Sequence, residues 1–227
     1  MVDLRVYEEI LSGKKKDFNG VDLGGADLSY VYLVGANLVG ANLREVDLEE
    51  ADLREVDLRG ADLSNAKLIR VNLRGADLRD VNLGGADLGE SDLRDVSLRG
   101  VNLYGVNLSN ADLSGMDLSG VKLRGVKLVG VKLRGADLRG ANLTGMDLRN
   151  ADLSGVDLRD VSLNNADLRE GDLREVDLRD VYVWGVNLRG ADLRDAKLRG
   201  VHVRGLDLRG AKLSGAKLRG ADLRGVN

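Results

Sequence analysis

Apolar residues recur along this chain with a period of five. From Val21 to Gly225 it divides into 41 consecutive five-residue units without insertion or deletion. Each reads [A/V]-[D/N/K]-L-[R/S]-[G/D/E/N], with the third residue as its centre. The centre is Leu everywhere except Val183 and Val203. The first position is Ala or Val except at Ser91, Met116, Met146, Gly171 and Leu206. The segment Lys16–Gly20, "KDFNG", is a degenerate unit in the same frame, centred on Phe18.

A period of five fits neither a helix, which needs apolar residues about 3.6 apart, nor a plain strand, which needs them about 2 apart. Within a unit the first and third positions lie two apart, so in extended chain both side chains point the same way. The fifth position is Gly in 24 of the 41 units and otherwise mostly Asp, Glu or Asn. These are turn residues, several of them tolerant of unusual dihedrals. Each unit is therefore expected to be a short extended side followed by a bend. Successive bends wind a coil with Leu and Ala/Val inside, and coils stack about 4.8 Å apart, each touching only its neighbours. On this frame, centres and first positions are expected buried and every residue before a centre exposed. Gly171 is expected to leave a small gap beside Ala151 and Ala191.

The two valine centres indicate the size of a coil. If four units close one coil, residues 20 apart are neighbours. Val183 then lies beside Val203, Tyr182 beside His202 and Trp184 beside Arg204. The only Trp and the only His of the chain meet on one face.

Composition changes the picture in two ways. Aromatics are 3% and Cys and Pro are absent, so the core must be aliphatic and regular, with neither disulfides nor thiolate metal sites. The start, "MVDLRVYEEILSG", interrupts its apolar residues with charge and is not a signal peptide. No run of about 18 apolar residues exists to span a membrane. A cytoplasmic location is the expectation.

The stretch Ala136–Gly155, "ADLRGANLTGMDLRNADLSG", resembles the A-[D/N]-L-x-x signature of pentapeptide repeat proteins, and the resemblance covers residues 16 to 227. It implies an all-β fold: a right-handed quadrilateral parallel β-helix, a solenoid of four pentapeptides per coil and about ten coils. It also implies a role as a structural or protein-interaction scaffold. Some members are DNA-mimicking inhibitors or protectors of a type II topoisomerase, DNA gyrase, and that is the alternative reading. The extreme regularity is equally what a consensus-like or designed repeat would show.

Residues 1–15 are expected to form a helical cap, with Val6, Ile10 and Leu11 on one side and Gly13 as the stop. Residues 16–227 are the repeat. Tyr30, Tyr32, Val34 and Val39 give the first coil an apolar exterior that suits docking of the cap. After Leu208, Leu213, Leu218 and Leu223 no capping segment follows, so a homodimer through this end is expected.

The surface is nearly balanced, with net charge -3 from 34 basic and 37 acidic residues. Direct binding to nucleic acid is therefore not expected. Asp before the centre and Arg after it project from the same side, so the two ladders are expected to neutralise one another. Charge is nonetheless banded. Residues 121–140 sum to +5, with Lys122, Lys127 and Lys132 on successive faces, and residues 196–227 sum to +6. Tyr182, Trp184, His202 and Arg204 form the candidate partner-contact patch, because aromatics and Arg are the usual interface anchors. No enzyme is expected: one His on a convex surface has no pocket to exclude water. A metal site is not expected with one His and no Cys, and no cofactor is called for.

Overall fold

The computed structural model describes residues 4–13, 16–223 and 225. The chain forms two compact units, Met1–Asp112 and Leu113–Asn227. Both obey one local rule. From Gly20 to Gly225 every fifth residue has φ between +56° and +81°. The next unit's first N–H donates to the carbonyl of the centre, as Ala41 does to Leu38 at 3.1 Å. A four-residue turn with its third residue left-handed is the type II arrangement, which favours Gly and Asn there.

The Asp or Asn before each centre caps this turn. Asp27 Oδ1 accepts the Ser29 N–H at 3.1 Å and Asp87 Oδ1 that of Gly89 at 3.0 Å. That inward lean leaves many of these side chains half-buried, and Asp177 is buried outright. The expectation that all of them stand exposed is corrected accordingly.

Coils are joined by backbone ladders with an offset of 20 residues. Leu43 N–H donates to Asp62 O at 2.8 Å, Gly40 N–H to Arg59 O at 2.9 Å, and Asp62 N–H to Ala41 O at 3.0 Å. In unit 1 this parallel pairing runs without a gap from Asp17–Asn37 to Asp92–Asp112. A helix, α1 (Leu4–Ser12), precedes it. Ile10 is buried and Val6 half-buried, but Leu11 is 57% exposed. The expectation that Leu11 shares their side is corrected: at about 3.6 residues per turn it lies more than a quarter-turn past Ile10. Gly13, at φ +65°, donates its N–H to Ile10 O and ends the helix.

Unit 2 contains the strands β1 (Tyr182–Trp184) and β2 (His202–Arg204), paired in parallel as Tyr182–His202, Val183–Val203 and Trp184–Arg204. Among the described residues these are the only runs long enough to count as strands; the other pairings are isolated bridges. The turn explains this, because it claims the centre's carbonyl in nearly every unit. At Val183 and Val203 that turn bond is missing, since Val186 and Leu206 make none to them. β-branched residues favour extended backbone, and the strand continues one residue further.

Each unit is filled by its leucine centres, almost all buried from Leu23 to Leu198, but Val21, Val101, Val121 and Leu208 are only half-buried and Leu223 is exposed, so the expectation that every centre and first position is buried is corrected. Ser91 is accommodated inside by donating its hydroxyl to Leu88 O at 2.7 Å. Gly171 leaves no gap, contrary to expectation. A Cβ there would lie 3.1 Å from Leu168 O, 3.2 Å from Leu173 Cδ1 and 3.3 Å from Ala151 O. The coils have closed around the missing methyl. A small apolar void of about 30 Å³ does exist in unit 2, and Val183, Val203 and Leu198 are among its lining residues.

Candidate interaction surface

The valine-centred strands set the geometry of the aromatic face. Their pairing places Tyr182 over His202, and the rings stack with centroids 4.6 Å apart and planes 8° apart. Tyr182 is 74% and Trp184 55% exposed. Trp184 is anchored through its backbone: its N–H donates to Asn164 Oδ1 at 3.1 Å, and its carbonyl accepts the Asn165 N–H at 2.9 Å. The four residues Tyr182, Trp184, His202 and Arg204 line one open groove together with Asp222, which pairs with His202 across the next coil.

Around this patch the charges divide into two kinds. Where Asp precedes the centre, the following Arg grips it with both ends of its guanidinium. Arg179 Nε and Nη2 lie 2.9 and 2.7 Å from Asp177, and Arg194 holds Asp192 at 2.8 and 2.6 Å. These forks hold the Asp192 and Asp207 carboxyls down at about 2, first through the Arg hydrogen bonds. Where another residue precedes the centre, the arginine has no fork. Among the described residues Arg189, Arg199, Arg204 and Arg219 make no ion pair; Asn187, Lys197, His202 and Lys217 occupy their partner positions. The aromatic patch is thus flanked by uncommitted cations. The sequence carries part of their signal, an Arg two residues after something other than Asp, yet Arg44 and Arg74 fit that rule and still pair with Asp62 and Asp95 at 3.3 and 3.0 Å.

The remaining candidates are placed as follows. Tyr30 and Tyr32 are 69% and 58% exposed, and Val34 and Val39 half-buried. The N-terminal segment meets this region through Lys16, whose Nζ lies 5.4 Å from the Tyr32 ring centroid and donates to Val34 O at 2.9 Å. Tyr7 donates its hydroxyl to Asp27 O at 2.9 Å. Leu208, Leu213 and Leu218 are half-buried and Leu223 is 38% exposed. Among the described residues no cluster of three His, Cys, Asp or Glu is arranged to hold a metal, and no helix is long and apolar enough to cross a membrane.

Five-residue turns, a leucine interior and a 20-residue parallel offset define a repeat protein of one recurring unit. The family profile described as pentapeptide repeats matches eight copies, spread over residues 17–115 and 117–227. The chain belongs to the pentapeptide repeat family. It is similar to HetL, a pentapeptide repeat protein involved in heterocyst differentiation regulation from the cyanobacterium Nostoc sp. strain PCC 7120. Identity is 33% and the TM-score 0.55, over 100% of this chain and 96% of that one. It also resembles alr5209, a pentapeptide repeat protein from Nostoc PCC 7120, at 32% identity and TM-score 0.35 over 50% of this chain and 83% of that one. QnrB1, a plasmid-mediated fluoroquinolone resistance protein, aligns at 23% identity and TM-score 0.28 over 78% of this chain and 83% of that one. No curated protein matches the chain.

Proposed function

We propose that this protein is a non-enzymatic, cytoplasmic interaction scaffold, a right-handed quadrilateral solenoid of four pentapeptides per coil and about ten coils. In this reading its partner is a protein that docks on Tyr182, Trp184, His202 and Arg204. The observation that carries it is the exposed aromatic patch amid a surface that otherwise neutralises itself. Tyr30, Tyr32 and Tyr104 are as exposed as Tyr182 and Trp184, but here Tyr182 stacks on His202 and Trp184 pairs with Arg204 in one groove, whereas the Asp–Arg forks satisfy one another along both units. Amphipathic aromatics with a free Arg are the side chains that dominate interface energetics.

The same forks weigh against the DNA-mimicking alternative. A mimic presents unneutralised carboxylates in a continuous track, and here an arginine closes on most of the Asp side chains that precede a centre. The last coil, with Leu223 exposed and three leucines half-buried, is the proposed self-association face. Residues 196–227 sum to +6, so the dimer should tighten as salt screens the repulsion. Sedimentation at low and high salt reads this directly, and a monomer at both would remove it.

The partner reading is tested by affinity capture from a bacterial lysate, comparing the full chain with a Tyr182→Ser, Trp184→Ser, His202→Ser variant. A protein retained by the first and lost by the second is the expected result. An identical set of captured proteins would overturn the patch as the contact site.

A further inference from the structure

Unit 2 contains a second unusual place, distant in sequence from the aromatic patch. Among the described residues, no ladder bond joins Val121–Leu128 to Ala141–Asp147. The donors Leu123, Gly125, Leu128, Asn142 and Asp147 all lack the cross-coil partner that most of their equivalents have, as Leu138, Asp157 and Leu163 of the same unit also do. The ladder resumes on either side. Leu118 donates to Asp137 O at 2.9 Å, Gly130 to Arg149 O at 2.8 Å and Leu143 to Ser162 O at 2.8 Å. Between the two edges lies a cleft of about 790 Å³. Val121 and Met146 show in its lining, half-buried where most first positions are fully buried.

We propose that this cleft receives an acidic peptide in extended conformation, which adds as a strand between the two edges. Three properties converge on that occupant. Both edges offer unmet backbone donors and acceptors, and an extended peptide supplies matching groups along both of its own edges. Side chains of a strand alternate between faces, so every second residue can rest on Val121 and Met146 while the others reach outward. In the lining Lys122 and Arg124 make no ion pair among the described residues, whereas Asp147 is closed by Arg149 at 2.6 Å. The uncommitted charge of the cleft is therefore positive, and acidic residues on the outward face complement it.

The probe is a synthetic peptide of three Glu-Val repeats, blocked at both ends, measured against the full chain by fluorescence anisotropy. It is paired with amide hydrogen exchange of the protein. The amides of Leu123, Gly125, Asn142 and Asp147 should exchange fast alone and slow with peptide bound. The Lys122→Glu, Arg124→Glu variant should bind at least about tenfold more weakly. A peptide N-methylated on alternate residues keeps the charges and side chains but cannot pair along one edge, and it should lose a similar factor. Replacing Tyr182 and Trp184 by Ser should change nothing, which separates this cleft from the aromatic patch. Slow exchange of those amides without peptide would show the ladder closed in solution and overturn the proposal. Equal binding of the N-methylated peptide would reduce it to nonspecific charge attraction and overturn it as well.

Discussion

In unit 1 the pairing of residues 20 apart never lapses, whereas in unit 2 it lapses at Lys122/Asn142, Lys127/Asp147, Asp137/Asp157 and Ser162/Tyr182. Both units keep a left-handed residue at every fifth position throughout. The turn therefore does not by itself secure one coil to the next. Side chains supply the difference. In unit 1 an amide or ammonium repeatedly bridges to the residue 20 back. Asn37 reaches Asp17, Asn42 reaches Asp22, Lys67 reaches Asp47, Asn82 reaches Asp62, Asn102 reaches Asn82 and Asn107 reaches Asp87, at 2.7 to 3.0 Å. In unit 2 the carboxylates are mostly gripped by the Arg of their own strand, and the side-chain links between coils are fewer and looser, as Arg149 to Asp167 at 4.0 Å and Lys197 to Asp177 at 3.9 Å. An Asn before the centre is a rung between coils; an Asp–Arg pair is a clasp within one.

The largest effect should come from the leucine column. Leu53, fully buried in unit 1, should cost about 2–5 kcal/mol when replaced by Ala, since surrounding coils cannot collapse into the cavity. Leu218, half-buried in the last coil, should cost less than half as much. Denaturant unfolding of the two variants decides it, and equal losses would show that the last coil is covered in solution.

The rungs come next. Asn82→Ala removes the bonds to Asp62 and from Asn102, and the cap on the Gly84 N–H. It should cost about 1–3 kcal/mol, the range for losing buried or half-buried hydrogen bonds. Asn142→Ala in unit 2 removes only the cap on the Thr144 N–H and should cost about 1 kcal/mol or less. Thermal melts with equal shifts for both would break the contrast between rungs and clasps.

Acid should act more strongly on unit 2. Asp192 and Asp207 sit at about 2, below the ordinary 3.8, because of their Arg partners. Asp147, Asp157, Asp167, Asp172 and Asp177 of unit 2 are lowered for the same reason. A depressed carboxyl stabilises the fold above its unfolded pKa, and that stability fades as pH falls from about 4 through about 2. Unit 1 has fewer such clasps, at Asp52, Asp57, Asp77 and Asp92. Hydrogen exchange at pH 5, 3 and 2 should therefore show unit 2 opening first. Simultaneous opening would mean the clasps are energetically silent.

Much of this architecture is legible in the chain. The frame, the turn at each fifth residue and the buried leucines follow from spacing, while the coil of 20 comes from the family resemblance, to which the two valines add support. The exposed faces of Tyr182 and Trp184 follow from the same register. What is not legible is which of two partners a side chain prefers. Nothing local distinguishes an Asp that clasps its own Arg from one that accepts an Asn amide from the next coil. The Gly171 contacts depend on how far neighbouring coils relax, and the cleft at Val121–Asp147 on whether two otherwise ordinary coils meet. These are cooperative outcomes between coils, and a five-residue pattern carries no term for them.

The smallest expected effect isolates the valine centres themselves. Val183 and Val203 lengthen their strands, lack the turn bond to the next unit and adjoin the small apolar void. Replacing both by Leu should restore the common turn, add a methylene at each centre and fill part of that space. The void is small, so the gain should be about 1 kcal/mol, with some of it lost to repacking. Shortening β1 and β2 should also loosen the register that stacks Tyr182 on His202. The double variant should therefore melt higher yet present its aromatic pair less rigidly, a change readable in Tyr182 and His202 ring NMR signals. A double variant that melts lower would show that the coils have already adapted to valine, and that these centres are a constraint of the aromatic face rather than a tolerated drift.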